Sequence, residues 1–414
     1  MISKEFHASR RMRYAELLQD NSMGFVFSGK EKSDKGDQVY PFTPYANFYY
    51  LTGFTQHEAI LMITKMGGKV SETLFIDHPD ERSKRWLGIF YTAESVQEET
   101  GIENVQYLEK FEGSIPLFKG PDRIEHVYVD LASWGVPFYQ SPAQEFAARI
   151  QKSYPAIHMH NTFHNLALMR QVKSAEEIAL HRRACEITEE GVKNMLRHIK
   201  PDMYEYEAEA YFDFSLKMNN AKHAFDTIAA SEINACSMHY SANDRKMADG
   251  DMILFDLGAE WKYYASDVSR TYPVNGHFTE QQKALYNVVL KGLDAAIEAT
   301  KPGQPKNELE LLSKKVMAEE LMKLGMIEKP EDIMKYYFHG SGHYIGLYTH
   351  DVGDDNAVLE EDMVFTLEPG LYFDDLKIGI RIEDTLVVTK DGCEVLSGNI
   401  PKTVEDIEAF MQMN

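Results

Sequence analysis

DMILFDLGAEWKYYASDVSRTYPV, residues 251–274, holds two apolar, strand-like runs that each carry one aspartate, Asp256 and Asp267. A tight turn at Trp261-Lys262 would fold the runs into a hairpin and set the aspartates directly opposite each other. Cross-strand Cβ atoms then lie about 4.5–5.5 Å apart, where like charges repel. A shared cation, a solvated hairpin face or one protonated acid would each relieve that repulsion.

Further acids of the same kind lie downstream. Glu368 ends the apolar start of MVFTLEPGLYF (363–373), and Glu383 lies inside IGIRIEDTLVVT (378–389). Alternation puts Ile380 and Ile382 on one face of that strand and Arg381 and Glu383 on the other. An Arg-x-Glu pair there is either an exposed salt bridge or a buried group that needs partners. Between these acids runs His339-Gly-Ser-Gly-His343, then His350 seven residues later. Three histidines in twelve residues, spaced by glycines, read as a loop around a reaction centre. One histidine with four carboxylates suits a divalent ion such as Mn²⁺, Zn²⁺, Co²⁺ or Fe²⁺, and two bridging acids suggest two ions. His-Glu-x-x-His, Gly-x-Ser-x-Gly and the phosphate-binding Gly-x-x-x-x-Gly-Lys-Ser/Thr motif do not occur.

The rest of the chain sets bounds. Its 414 residues suit two domains. With 43 basic and 65 acidic residues, the net charge of −22 argues against nucleic acid and anionic lipid as partners. Three scattered cysteines, an N-terminus without an apolar signal core and no apolar run of about 18 residues predict a cytoplasmic protein without a membrane span.

Strand-like AILMITK (59–65), ETLFID (72–77) and HVYVDL (126–131) alternate with helical stretches, which predicts a small α/β domain over 1–168. Ser141, Pro142 and Gln144 form the start signal of one of its helices. A second domain, 169–414, begins with a helix capped by Ser174 and Glu177. More helices follow near 204–219, 279–300 and 307–324, then strands after Gly340. This is an α+β pattern.

The order Asp256, Asp267, His343, Glu368, Glu383 resembles the five metal ligands of the pita-bread metallopeptidases, which include aminopeptidase P, prolidase and methionine aminopeptidase. The words FDLGAEWKYYASDVSRT, HGSGHYIGLYTHDVG, LEPGLYF and GIRIEDT carry the resemblance. VYPFTPYANFYYLTGF (39–54) and RWLGIFYTAE (85–94) resemble the N-terminal domain of aminopeptidase P, so the likeness spans nearly the whole chain. It implies a pita-bread catalytic domain behind a smaller α/β domain. The implied activity is a two-metal aminopeptidase, manganese being the first choice, that cuts peptides with proline in second position through a hydroxide bridging the metals. Prolidase activity on Xaa-Pro dipeptides is the alternative, and a non-catalytic binding module a third reading.

Carried over by position, Asp267 and Glu383 would bridge the metals, Asp256 would complete one site, and His343 and Glu368 the other. Glu368 would also move the proton. His239 and His350 would contact substrate, His339 would shape the pocket and Arg381 would orient the acids. Tyr372 follows the Glu-Pro-Gly-Leu word as in aminopeptidase P. The resemblance also implies a homo-oligomer, dimer or tetramer. Leu347-Tyr-Thr-His350-Asp351 departs from the family's usual Leu-Asp-Val-His-Asp without touching a ligand.

Two features stand outside this set. His158, His160 and His164 have ligand-like spacing but read as surface or packing histidines. Phe48-Tyr49-Tyr50 reads as a buried strand.

Overall fold

The hairpin carrying Asp256 and Asp267 forms, but its turn lies one residue later than the sequence suggests. Lys262 and Tyr263 take positive φ, 50° and 73°, the conformation of a type I′ turn whose twist matches that of the strands it joins. Trp261 therefore pairs with Tyr264, and Asp256 faces Ser269 rather than Asp267. Moving the turn by one residue moves the register by two, so both aspartates keep the same face. They become diagonal neighbours, roughly 7 Å apart instead of directly opposed. The backbone closes tightly between them. A Cβ on Gly258 would lie 1.9 Å from the Ser266 carbonyl oxygen, so only glycine fits.

This computed structural model describes residues 2–413 except 79, 89, 116–123 and 132–139. Ile89, within the Arg85–Glu94 word, therefore lies outside the described residues. The chain divides into two compact units, Met1–Met169 and Arg170–Asn414.

The first unit is built on a six-stranded mixed sheet. Its order is Val105–Tyr107, Lys69–Ile76, Ile60–Met66, Ser22–Phe27, His126–Val129, His158–Asn161. Phe25, Phe75, Val127 and Val129 fill its core with Phe146 of the helix Pro142–Ser153. That helix starts where the sequence predicts: Gln144 N–H donates to Ser141 Oγ at 3.2 Å, and Ser141 N–H to Gln144 Oε1 at 2.9 Å. Phe48, Tyr49 and Tyr50 are buried, but in a helix, Ala46–Thr52, not a strand. Every residue of that helix is buried, so its sequence shows no amphipathic period to separate helix from strand. Gly53, at φ 68°, ends it.

The second unit is α+β. Its long helices are Ala175–Leu196, Glu205–Met218, Glu280–Ala299 and Lys306–Lys323. Capping boxes start two of them, Ser174 with Glu177 and Thr279 with Gln282, each cap contributing about 1 kcal/mol. Against them pack four short sheets, of which Lys222–His223, Ala259–Trp261 and Tyr264–Ala265, at the hairpin turn, make the smallest three-stranded one. Ile228–Ser231, Met252–Leu257 and Val268–Pro273 form another; Val364–Leu367, Asp384–Val388 and Cys393–Val395 a third; the hairpin of Gly370–Phe373 and Ile378–Arg381 is the fourth. One continuous core joins Phe255, Leu285, Met317, Phe365, Ile380 and their neighbours.

Candidate metal centre

Asp267, His343 and Glu383 each offer a ligand atom, and these atoms all lie within 4.8 Å of one another. From His343 Nε2 the distances are 3.4 Å to Asp267 Oδ2, 3.7 Å to Glu368 Oε1 and 3.9 Å to Glu383 Oε1. Donors about 2.1 Å from a shared ion lie roughly 3.0–4.2 Å apart, so these spacings fit. His343 Nδ1–H donates to the Tyr344 carbonyl at 3.0 Å. That bond fixes the tautomer and leaves the Nε2 lone pair facing the acids.

Asp256 enters from the neighbouring strand and is held by Arg381, whose Nη2 lies 2.5 Å from Oδ2. Arg381 is buried, yet it does not pair with Glu383 as an Arg-x-Glu salt bridge would. It bonds Asp256, the Ser269 hydroxyl at 2.8 Å and the Tyr372 hydroxyl at 3.0 Å. Ser269 Oγ–H in turn donates a hydrogen bond to Glu383 Oε2 at 2.9 Å. One guanidinium thus aligns two acids, the second through a serine. Tyr372 in turn donates to His339 Nε2 at 2.7 Å, because His339 Nδ1–H is committed to the Gly340 carbonyl at 2.6 Å.

The electrostatics call for positive charge. Burial and the neighbouring carboxylates push Asp267 and Glu368 well above the usual carboxylate range and raise Glu383 to about 7. Asp256 Oδ1, Asp267 Oδ1 and Glu383 Oε1 are buried with no hydrogen-bond partner. An unpaired buried carboxylate oxygen is costly, and a divalent ion would satisfy all three. The donor set therefore fits a metal.

A cleft of about 790 Å³ opens over the cluster. Asp256, Asp267, His343, Glu368, Arg381 and Glu383 form part of its lining. His239, His339 and His350 line it too, so it brings together every site residue singled out from the sequence. His350 packs edge-on to His343, ring centroids 4.3 Å apart. Burial lowers the His350 pKa, and burial beside Arg381 lowers that of His339 to about 4.

Three supports escaped the sequence. Ser269 could have been found, because it sits two residues beyond Asp267 on the same strand face. Thr385 Oγ donates to the Asp267 carbonyl at 2.8 Å and closes a link between distant segments. Behind the His350 loop, Asp351 is buried against Arg170 and Lys173. The two cations come from 170–173 and no local pattern announces them.

Residues 179–390 match the model of metallopeptidase family M24, and residues 7–128 match the aminopeptidase P N-terminal domain. The chain is 32% identical to the Xaa-Pro aminopeptidase of Haemophilus influenzae over 431 residues, covering 99% of this chain and 98% of that protein. A solved structure from Bacillus anthracis assigned to aminopeptidase P superposes with a TM-score of 0.97 at 41% identity, covering 100% of this chain and 99% of the other. Zinc-substituted Escherichia coli aminopeptidase P, solved with product, gives a TM-score of 0.91 at 30% identity with the same coverage. No described helix is long and apolar enough to cross a membrane.

Proposed function

The chain belongs to metallopeptidase family M24, with an aminopeptidase P N-terminal domain ahead of the catalytic unit, and from that premise we propose that it is a two-metal Xaa-Pro aminopeptidase. It removes the first residue from peptides whose second residue is proline. The observation that carries this reading is the set of three buried, unpartnered carboxylate oxygens, from Asp256, Asp267 and Glu383, in residues that line one cleft with His343. We assign the holding of two ions to five residues: Asp267 and Glu383 would serve both, Asp256 would complete one site, and His343 and Glu368 would complete the other. Four carboxylates and one imidazole favour Mn²⁺.

Two divalent ions bound there would polarise the scissile carbonyl and lower the pKa of water. The chain's residues do the rest. Glu368 takes the proton from the attacking water and delivers it to the proline nitrogen, which must leave as an amine. His350 and His239 hydrogen-bond the substrate and the oxygen that becomes negative. His339 stays neutral and, tied to Tyr372, fixes one wall. Arg381 orients Asp256 directly and Glu383 through Ser269. Proline lacks the N–H that ordinary peptidases grip. A cleft partly walled by Phe225, Ile228 and Met238 offers apolar contact instead.

The test is a paired hydrolysis. Protein stripped by chelator and reloaded with Mn²⁺ is offered an Xaa-Pro dipeptide and an Xaa-Pro-Yaa tripeptide with the same first residue. Metal-dependent cleavage of the tripeptide between Xaa and Pro is expected. Cleavage of the dipeptide alone would make the enzyme a prolidase, and cleavage of neither, across several metals, would overturn the peptidase reading. We further place the enzyme in the cytoplasm as a homo-oligomer. Three free thiols support the compartment and the family resemblance supports the assembly. Light scattering at two or four times 47.4 kDa checks the latter.

A further inference from the structure

His158 and His160 acquire a third member that their sequence spacing does not show. The strand His158–Asn161 ends the described sheet of the first unit and pairs in parallel with His126–Val129. The register sets His126 beside His158 and Tyr128 beside His160. All three histidines therefore share one face. His126 Nδ1 lies 3.0 Å from His160 Nε2. The His158 ring stacks on His126 at 5.2 Å, and His160 stacks on Tyr128 at 4.4 Å, nearly parallel. His158 is exposed and the other two are half-buried. His164, the third histidine of the sequence run, lies on the next helix, Phe163–Gln171.

We propose that His126 and His160, joined by His158, bind a borderline divalent transition metal, Cu²⁺ or Ni²⁺, at this sheet edge. The site is separate from the acidic centre and independent of the peptidase reading. Imidazole nitrogens are the natural ligands of such ions, whereas Mn²⁺ prefers oxygen. Two nitrogens 3.0 Å apart, each about 2.05 Å from an ion, subtend about 94° at it. That is the angle between neighbouring ligands in a tetragonal site, the geometry of Cu²⁺ and Ni²⁺, and is tight for tetrahedral Zn²⁺. The Tyr128 stack steadies the His160 ring, so little rotamer freedom is lost on binding. The proton shared between His126 Nδ1 and His160 Nε2 moves through solvent to the far nitrogen of its own ring, and both lone pairs become available. His158 completes the set by turning its exposed ring.

Full-length protein with its acidic centre filled by Mn²⁺ is titrated with Cu²⁺ and read by electron paramagnetic resonance and equilibrium dialysis. One copper per chain with a tetragonal signal split by at least two nitrogens is expected. His126→Ala and His160→Ala should each weaken copper binding tenfold or more, and His158→Ala about threefold. His126→Gln keeps a hydrogen-bonding group of similar size and should weaken copper binding as His126→Ala does, with one nitrogen fewer in the splitting. Asp267→Ala should leave this copper in place. Equal copper, with the same signal, in wild type and in a folded His126→Ala/His160→Ala protein of normal turnover would overturn the proposal.

Discussion

Glu383 and Asp384 are neighbours in sequence, equally buried, and live in opposite electrostatic surroundings. Glu383 faces Asp256 and the other acids of the cleft, and its pKa is raised to about 7. Asp384 points to the other side of the strand. Burial works against its charge, but Arg270 Nη2 at 2.6 Å and Lys402 Nζ at 2.9 Å outweigh that and hold its pKa below the usual carboxylate range. Both acids therefore need cations, and the difference lies in who supplies them. At Asp384 the fold brings its own, and the ion cluster locks the strand Asp384–Val388 to Val268–Pro273 and to the segment at Lys402. At Glu383 the fold supplies too few, and the deficit draws a metal. A charge satisfied internally serves stability; a charge left short serves binding.

Substitution should separate the two. Asp267→Ala is expected to reduce turnover by about a thousandfold or more, since a lost metal forfeits several kcal/mol of transition-state stabilisation. Metal analysis should show the loss together with the activity, while the metal-free protein melts no lower than wild type, because one repelling carboxylate is gone. An Asp267→Ala protein with near-normal turnover would break the ligand assignment. Asp384→Asn should do the reverse. Breaking a buried ion pair from one side costs about 3–5 kcal/mol, visible in urea unfolding, while the folded fraction keeps its metal.

The pH dependence sharpens the contrast. Glu383 has a folded pKa raised above its unfolded value near 4.5, and Asp267 and Glu368 shift the same way. Each favours the metal-free fold at low pH, and that contribution is lost as pH rises through the folded pKa. Asp384, with a depressed pKa, contributes above its unfolded value and is lost as pH falls. Calorimetry of chelated wild type between pH 5 and 8 should therefore show stability declining toward pH 8. Mn²⁺ should remove that decline. A flat metal-free profile would mean the acids do not repel. The smallest effect is expected at Tyr372→Phe. It removes the hydroxyl linking Arg381 to His339, a hydrogen bond to a charged group worth about 1.5–3 kcal/mol. Steady-state kinetics should show kcat falling about tenfold or somewhat more with metal content unchanged.

The acids set in apolar strands and the capping boxes at Ser141 and Ser174 were legible because each is a local pattern. The turn at Lys262-Tyr263 was misplaced by one residue because two adjacent pairs could both make a two-residue turn, and only the strand twist chooses. The helix Ala46–Thr52 hid because complete burial erases the period that sequence reading depends on. The grip of Ser269 and Arg381 on Glu383 and Asp256 joins strands more than a hundred residues apart, and His126 meets His160 only through parallel pairing.

The sequence by itself determined the identity and order of the acids and histidines, and with them the family and the chemistry, because metal ligation demands particular residue types in particular local settings. Only the tertiary structure decided which acids are short of positive charge and which are paired. Charge balance in a buried site depends on every group within a few ångströms, and those groups arrive from segments that nothing in the local sequence connects.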